Sequence, residues 1–544
     1  MVHPDDNVIV ALQDLKAGEN LVLDGRCYTT SESIKAKHKF TIDHLQIGES
    51  IIMYGVLVGK AKMEIGKGSC ITSSNIEHSS SDYSVTLGKE DWLAPDVSRF
   101  KEKTFNGYYR SDGSVGVMNY WLVVPLVFCE NRNLQVIKDA MTEQLGYTTT
   151  KHFSVDTQQL IDKYNAGATH EDILKSDILQ NQESIESQRV FPNVDGIKFL
   201  AHEGGCGCTR QDSDSLCQLI AGYINNPNVA GATILSLGCQ NAQSHILQKA
   251  LKSMAPESNK PVYYLEQQES TSEREFIADA VKQTFVGLIQ ANKQKRKPAP
   301  LSKLCLGLEC GGSDGFSGIT ANPALGYASD LLVALGGKAI LAEFPELNGV
   351  EQELINRCVD TETASKFADL MARYSKRAEE SNSGFAFNPS PGNIKDGLIT
   401  DAIKSAGAAK KGGTSPIEDV LDYAEQAVKS GLQLLCTPGG DVESTTGLAG
   451  SGANIIVFTT GLGTPTGNPI APTLKISTNS ELNDRMADII DIDAGTIIHG
   501  EDTIESKGEE LLELIIKVAS GQYLPKAVQL GQDDFIPWKR GISL

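Results

Sequence analysis

The sequence predicts an α/β protein: a small all-β module over residues 1–90, then an α/β body of parallel sheets in two Rossmann-like halves, 91–300 and 301–544. Three observations carry this reading. The first 90 residues hold short apolar or alternating runs separated by glycine-bearing turns. Beyond Phe105, continuously apolar strands alternate with helical stretches. A basic, proline-containing segment, 293–303, then interrupts the alternation and reads as a linker between the halves. A chain of 544 residues exceeds one hydrophobic core, so several domains are expected.

The β module rests on NVIVAL, ENLVLDG, SIIMYGVLVG and SCITSSN, whose spacing suits short strands joined by turns. In the first half of the body, NYWLVVPLVF, GIKFLAH and VAGATILSLGC read as buried strands, and REFIADAVKQTFVGLIQANKQ as a helix. The polar stretch 174–190 reads as a surface excursion. In the second half LCLGLEC, AILAEF, GLQLLC and GANIIVFTT read as strands, and IEDVLDYAEQAVKS as a helix. Hydrophobicity that is continuous, not alternating, implies parallel strands covered on both faces.

Composition bounds the function. With 40% hydrophobic and 22% charged residues the chain has the balance of a soluble globular protein. A polar, acidic start at Met1–Asn7 and the lack of a long apolar run predict a cytoplasmic protein without signal peptide or membrane span. The balance of 49 basic and 69 acidic residues, net −20, repels nucleic acid and anionic membrane. An anionic substrate would therefore need a local metal, cation or helix N-terminus. Eleven scattered cysteines argue for reduced thiols, some of them metal ligands, and no paired CxxC pattern supports a structural zinc site.

Ligands of open parallel sheets sit at the carboxyl ends of the strands. Those ends here read His202-Glu-Gly-Gly-Cys206, Gly238-Cys239-Gln240, Glu309-Cys310, Glu343 and Cys436-Thr-Pro-Gly. His202, Cys206, Cys239 and Cys310 are the candidate metal ligands, against the alternative that a buried cysteine is a small hydrophobe. Glu309, Asp314, Glu343 and Asp441 are candidate acids, bases or metal-bound carboxylates, and aspartate beside glycine is also a common turn former. Asn388, Ser390 and Asn393, with Ser444, Thr445 and Thr446, suit hydrogen bonds to substrate hydroxyls or the capping of their own turns. Lys404, Lys411 and Arg110 are possible carboxylate partners. The glycine-rich run 439–467 contains neither a phosphate-loop motif nor a dinucleotide fingerprint, and reads as a tight loop beside substrate.

The segments LECGGSDGFSGITANP, AEFPELNGVEQ, NPSPGN, KGGTSP and GDVESTTGLAGSGANIIVFTTGLGTPTGNP resemble the altronate and galactarate dehydratase family, over nearly the whole chain. The resemblance implies that residues 1–90 form the family's small β-clip, or SAF, domain, with HPDDNVIVALQDLKAG and AKHKF as landmarks. It also favours His38 and Lys39 as catalytic or carboxylate-anchoring residues, where the residues alone read as a surface pair in a basic stretch. It further implies dehydration of a sugar acid, altronate first and galactarate or another aldonate or aldarate second, to a 2-keto-3-deoxy acid. The implied cofactor is a divalent metal, Fe(II) or Mn(II). FCENRN in place of a VGCVN-type segment, an expanded stretch between Asn133 and Gly196, and HEGGCGCTRQD depart from the family pattern. Their bearing is on the sugar acid more than on the reaction. A non-catalytic sugar-acid sensor and a metal-dependent hydrolase stand as alternatives. The expected partner is a small anionic sugar acid, with no nucleic acid or membrane and a homo-oligomer left open.

Overall fold

The computed structural model describes residues 1–23, 25–88, 91–148, 153–181 and 188–543. The N-terminal module is all-β, as expected. Val8–Val10 pairs antiparallel with Lys39–Thr41, Asn20–Leu23 with Arg26–Thr29, and Ser50–Met53 with Val56–Ala61 and onward to Ile76–Glu77. Ile9, Leu15, Ile34 and Phe40 form a small core of their own, and Ile51, Met53 and Val58 join the main core of the body.

The first half of the body is a four-stranded parallel sheet in the order Gly196–Phe199, Tyr120–Pro125, Val229–Ser236, Val262–Glu266. Tyr120–Pro125 and Val229–Ser236 are buried along their whole length, which is what their unbroken apolar sequences require. Helices Asn131–Thr142 and Glu273–Ala291 pack together through Leu134, Ile137, Phe276 and Ala280, and Arg210–Asn225 packs on Ser244–Met254.

The second half is a seven-stranded parallel sheet in the order Ile417–Leu421, Gly431–Leu435, Lys338–Leu341, Cys305–Cys310, Ile455–Thr460, Thr473–Ser477, Ile492–Asp493. The chain enters at the centre, builds outward on one side and returns to build on the other. The reversal falls between Cys305–Cys310 and Ile455–Thr460, and such a switch point leaves a crevice above the strand ends.

Three local expectations are corrected. The 293–303 segment is no free linker: Lys297–Pro300 pairs antiparallel with Thr104–Tyr109, an edge position that tolerates proline's missing N–H. IEDVLDYAEQAVKS is not a helix. Ile417–Leu421 is the outer strand of the large sheet, because Ile417, Val420 and Leu421 gain more from burial there than the acidic residues gain from helix propensity. The glycine-rich run is no continuous loop, since it contains helix Asp441–Gly450 and strand Ile455–Thr460. In the polar stretch, Leu179–Asn181 pairs with Phe153–Val155, and 182–187 lie outside the described residues.

The β module docks on the second half of the body. Thr400 Oγ1 donates to Val58 O (2.8 Å), and the buried Lys39 ammonium donates to Gly397 O (2.6 Å). Gly315 and Gly397 must lack side chains there, since a Cβ on either would lie 2.3 Å from Lys37 O.

Candidate active site

The end of the central strand Cys305–Cys310 delivers Glu309 and Cys310, both fully buried. After Lys338–Leu341 the backbone turns at Glu343, which holds a left-handed φ of +69°. That conformation is costly for a non-glycine residue, by about 1–3 kcal/mol. It is fixed by Thr437, whose Oγ1 accepts from Glu343 N (2.8 Å) and whose carbonyl accepts from Phe344 N (3.2 Å). The 3₁₀ turn Phe344–Leu347 then brings Glu346 back beside Glu343.

These side chains converge on two lysines. Lys411 Nζ donates to Glu343 Oε2 (2.7 Å) and to Cys310 Sγ (2.8 Å), and Lys404 Nζ pairs with Glu346 Oε1 (2.6 Å). The Cys310 thiol lies 3.2 Å from Glu346 Oε2 and 3.5 Å from Glu343 Oε2. Ser444 Oγ donates to Glu309 Oε2 (2.7 Å) and is 3.0 Å from Thr437 Oγ1. Two ammonium groups thus face two carboxylates, with a third carboxyl, Glu309, in the same dry space.

Burial and the neighbouring Glu343 charge hold Glu309 well above the usual carboxylate range, so it carries a proton at neutral pH. Burial raises Glu343, helped by Glu346 and opposed by Lys411. Burial would raise Glu346 as well, but Lys404 and Lys411 pull it below its ordinary value. Cys310 is held far up by burial, then by Glu343 and Glu346, and is a neutral thiol. Asp441, in the first turn of helix Asp441–Gly450, is raised to about 7 by burial, then by Glu343 and Glu346. Gly311 allows this approach, because a Cβ there would lie 2.1 Å from Asp441 Oδ2. Carboxyl groups whose pKa values are pushed apart within one site are suited to separate acid and base roles.

The first turn of the same helix reaches a cavity of about 670 Å³ between the two halves of the body. Glu443, Phe535 and Trp538 line one side, and Phe128, His202 and Cys206 the other. The volume suits a small-molecule site.

A second ionic group lies where the β module meets the body. Asp314, fully buried, pairs with Lys37 Nζ (2.9 Å) and accepts from Phe316 N (3.1 Å). Lys39, also buried, gives its ammonium to the carbonyls of Lys37 (3.0 Å) and Gly397 (2.6 Å). Burial lowers it to about 8, against the opposing pull of Asp314. His38 is half-buried, with Nδ1 3.3 Å from Ala36 O.

The expected substrate-binding residues divide. Asn388 Oδ1 accepts from Lys404 (3.1 Å) and Ser444 holds Glu309, so both belong to the buried cluster. Ser390 and Asn393 form a capping box on helix Pro391–Lys395, with Asn393 Nδ2 also donating to Ser313 O (2.8 Å). Thr445 Oγ1 donates to Val442 O (3.1 Å), and Thr446 Oγ1 accepts from Ile536 N (3.1 Å). These last four have their polar groups committed to the protein's own backbone and neighbouring side chains.

The four expected metal ligands do not form one centre. Cys310 belongs to the large sheet, and among the described residues its close ligand-bearing neighbours are Glu343 and Glu346, their atoms within 4.8 Å of one another. Cys206 and Cys239 follow strands of the four-stranded sheet. His202 is spent structurally: Gly204 N donates to Nδ1 (3.0 Å), so Nε2 carries the proton and donates to Pro125 O (2.7 Å). Arg110 is likewise committed to Pro227 O (2.7 Å) and Met118 O (3.2 Å).

The donor set Cys310, Glu343 and Glu346 is compatible with a divalent cation. Among the described residues the buried Oε1 atoms of Glu309 and Glu343 accept from no other group, which leaves the protonated Glu309 carboxyl to hydrogen-bond the Glu343 carboxylate. Lys411 covers two of the same donors, so ion and ammonium compete for them. Glu346 and Lys37 were missed by sequence reasoning. A glutamate three residues beyond a strand-end glutamate in AEFPELNG was the available signal for the first.

Residues 1–79, 107–292 and 301–543 match three family descriptions in order: altronate/galactarate dehydratase SAF domain; D-galactarate dehydratase/altronate hydrolase, second domain; and D-galactarate/altronate dehydratase, C-terminal. The chain is 33% identical to altronate dehydratase of Bacillus subtilis over 96% of its length and 95% of that protein's. The chain belongs to the altronate/galactarate dehydratase family. Galactarate dehydratase (L-threo-forming) of Escherichia coli is 32% identical over 96% of the chain and 92% of that protein. The beta subunit of (2R)-sulfolactate sulfo-lyase of Chromohalobacter salexigens is 27% identical over 80% of the chain and 97% of that protein. As a member of this dehydratase family the chain is a hydro-lyase, which sets aside the sensor and hydrolase alternatives. Among the described residues no helix is long and apolar enough to cross a membrane.

Proposed function

We propose that this dehydratase removes water from D-altronate, giving a 2-keto-3-deoxy acid, with galactarate or another aldonate or aldarate as the second choice. The observation that carries the reading is the buried set of three carboxyl groups and two lysines at the switch point, in which Glu309 is protonated beside ionised partners.

Dehydration breaks a C–H bond next to the substrate carboxylate and the C–O bond at the next carbon. Asp441, poised near neutrality in the helix turn whose Glu443 lines the cavity, takes the α-proton. The electron pair forms the C–C double bond as the hydroxyl departs, and the neutral Glu309 carboxyl supplies the proton that turns it into water. The resulting enol tautomerises to the ketone. Lys404, held by Asn388 and Glu346, opposes the repulsion between the substrate carboxylate and the chain's net charge. Cys310, Glu343 and Glu346 would hold the divalent cation, Fe(II) or Mn(II), which supplies charge neutralisation at the substrate carboxylate and hydroxyl. A thiol among the donors favours Fe(II).

The test is a panel of aldonates, aldarates and sulfolactate given to anaerobically purified protein with Fe(II), Mn(II) or neither, read as 2-keto-3-deoxy acid or as released sulfite. Metal-dependent keto acid from altronate is expected. Turnover of sulfolactate alone, or of no acid, would overturn the substrate assignment.

A further inference from the structure

We propose that Cys129, Cys206 and Cys239 together bind a [4Fe–4S] cluster through three thiolates, leaving one iron without a protein ligand. Their placement carries the inference. Three adjacent parallel strands, Gly196–Phe199, Tyr120–Pro125 and Val229–Ser236, each run at the carboxyl end into a loop bearing one of these cysteines.

The loops are locked to one another. Phe128 N donates to Gly204 O (3.1 Å), Ala242 N to Gly205 O (3.1 Å), and Asn241 Nδ2 to Cys206 O (2.7 Å). Gly205 has a φ of +96°, and a Cβ there would fall 1.9 Å from Leu126 O, so the Cys206 loop is pressed against the Cys129 loop at a point only glycine permits. Cys206 and Cys239 both lie within electrostatic reach of Cys129.

The chemistry of the three thiols differs from that of their neighbours. Cys129 and Cys239 are exposed, Cys206 is half-buried and lines the cavity, and none is in a disulfide. Among the described residues no other side chain hydrogen-bonds any of the three sulfurs, whereas the nearby Cys208 thiol is buried against Ser213 Oγ (3.1 Å). Thiolates select zinc, copper(I) or iron–sulfur clusters. Spacing decides among these. A single ion bonded at about 2.3 Å to each sulfur holds any two sulfurs within about 4.6 Å. The three thiols are not gathered within the 4.8 Å that unites Cys310, Glu343 and Glu346, so they suit a polynuclear cluster better than one ion.

The inference deepens the dehydratase reading and rests on it for its use, since an iron free of cysteine beside the cavity could take a substrate oxygen. The full chain is reconstituted anaerobically with Fe(II) and sulfide, then assayed for iron, acid-labile sulfide and visible absorption. About four irons and about four sulfides per chain are expected. Cys129→Ser, Cys206→Ser and Cys239→Ser should each lose most of the sulfide, while Cys310→Ser and Cys27→Ser keep it. Should the serine variants fail to fold, alkylation of the unmutated protein decides: loading should protect Cys129, Cys206 and Cys239 from iodoacetamide, read by mass spectrometry. Iron or zinc bound without sulfide, or undiminished alkylation after loading, overturns the proposal. Keto-acid formation by sulfide-free protein with Mn(II) would sink the cluster and leave the dehydratase. A complete cluster with no turned-over acid would do the reverse.

Discussion

Both parallel sheets end a central apolar strand in or just before a cysteine, and the two settings are opposite. Cys310, on the seven-stranded sheet, is fully buried and held neutral among two carboxylates and the Lys411 ammonium. Cys129, Cys206 and Cys239, around the four-stranded sheet, stand in or near solvent with no other side chain hydrogen-bonded to them among the described residues. The first setting is a finished electrostatic balance in which each group depends on the others. The second is a set of donors whose partner must come from outside the chain. Removing Cys310 or one of the charged groups around it should therefore damage folding and chemistry together at the large sheet, whereas a thiol of the small sheet should cost chemistry alone.

The largest expected effect is at Lys411. Lys411→Met leaves Glu343 buried without its ammonium, a loss of about 3–5 kcal/mol by analogy with broken buried pairs. Chemical denaturation should show a lowered midpoint, and turnover should vanish. A variant as stable as the parent would mean that Glu343 takes up a proton at no cost and that the balance described here is wrong.

Glu309→Gln comes next and separates charge from shape. Because Glu309 is already neutral, glutamine keeps its hydrogen bond to Ser444 and should change stability by less than about 1 kcal/mol. It cannot give up the catalytic proton, so kcat should fall by about 10²–10⁴-fold. Equal losses in stability and rate would make Glu309 a packing residue.

The strand-end argument picked out Glu309, Cys310, Glu343 and Cys239, and the structure puts each at or just past a strand's carboxyl end, because a buried parallel strand is an unbroken apolar run whose first polar residues mark its end. It missed Glu346, since only the left-handed turn at Glu343 folds the next glutamate back on the cluster. It offered His202 as a candidate ligand, since spacing does not reveal that Gly204 N and Pro125 O engage both ring nitrogens. IEDVLDYAEQAVKS read as a helix because its pairing partner lies across a turn, where long-range pairing and burial outweigh local propensity. The β module was legible from its turns, but Lys37, its ion pair across to Asp314, was hidden in a basic stretch like any other.

Asp441 tests the rim between the two settings. As a base it must be ionised, so kcat/KM should climb about tenfold per pH unit up to about pH 7 and then level. Asp441→Asn should abolish that limb and lower the plateau by about 10²-fold. The same group has a sign for stability. Between 3.8 and about 7 the folded carboxyl keeps its proton while the unfolded one has lost it, so its contribution weakens the fold as pH rises through that window. The asparagine variant should lose that part of the decline, and a pH–stability curve unchanged by the substitution would count against the raised value.

The smallest expected effect is the sharpest test of the comparison. Cys129→Ser replaces an exposed thiol that no other side chain hydrogen-bonds among the described residues, so the metal-free protein should keep its stability to within about 0.5 kcal/mol. Cys310→Ser, by contrast, puts a shorter hydroxyl between Lys411, Glu343 and Glu346, where the sulfur's reach sets the contacts, and should cost about 1–3 kcal/mol. If both substitutions proved equally mild, Cys310 would be as replaceable as a surface thiol and the large sheet's cluster would not be a closed balance. If both proved severe, the cysteine loops of the small sheet would be part of the folding core, and the view of them as donors awaiting an external partner would fail.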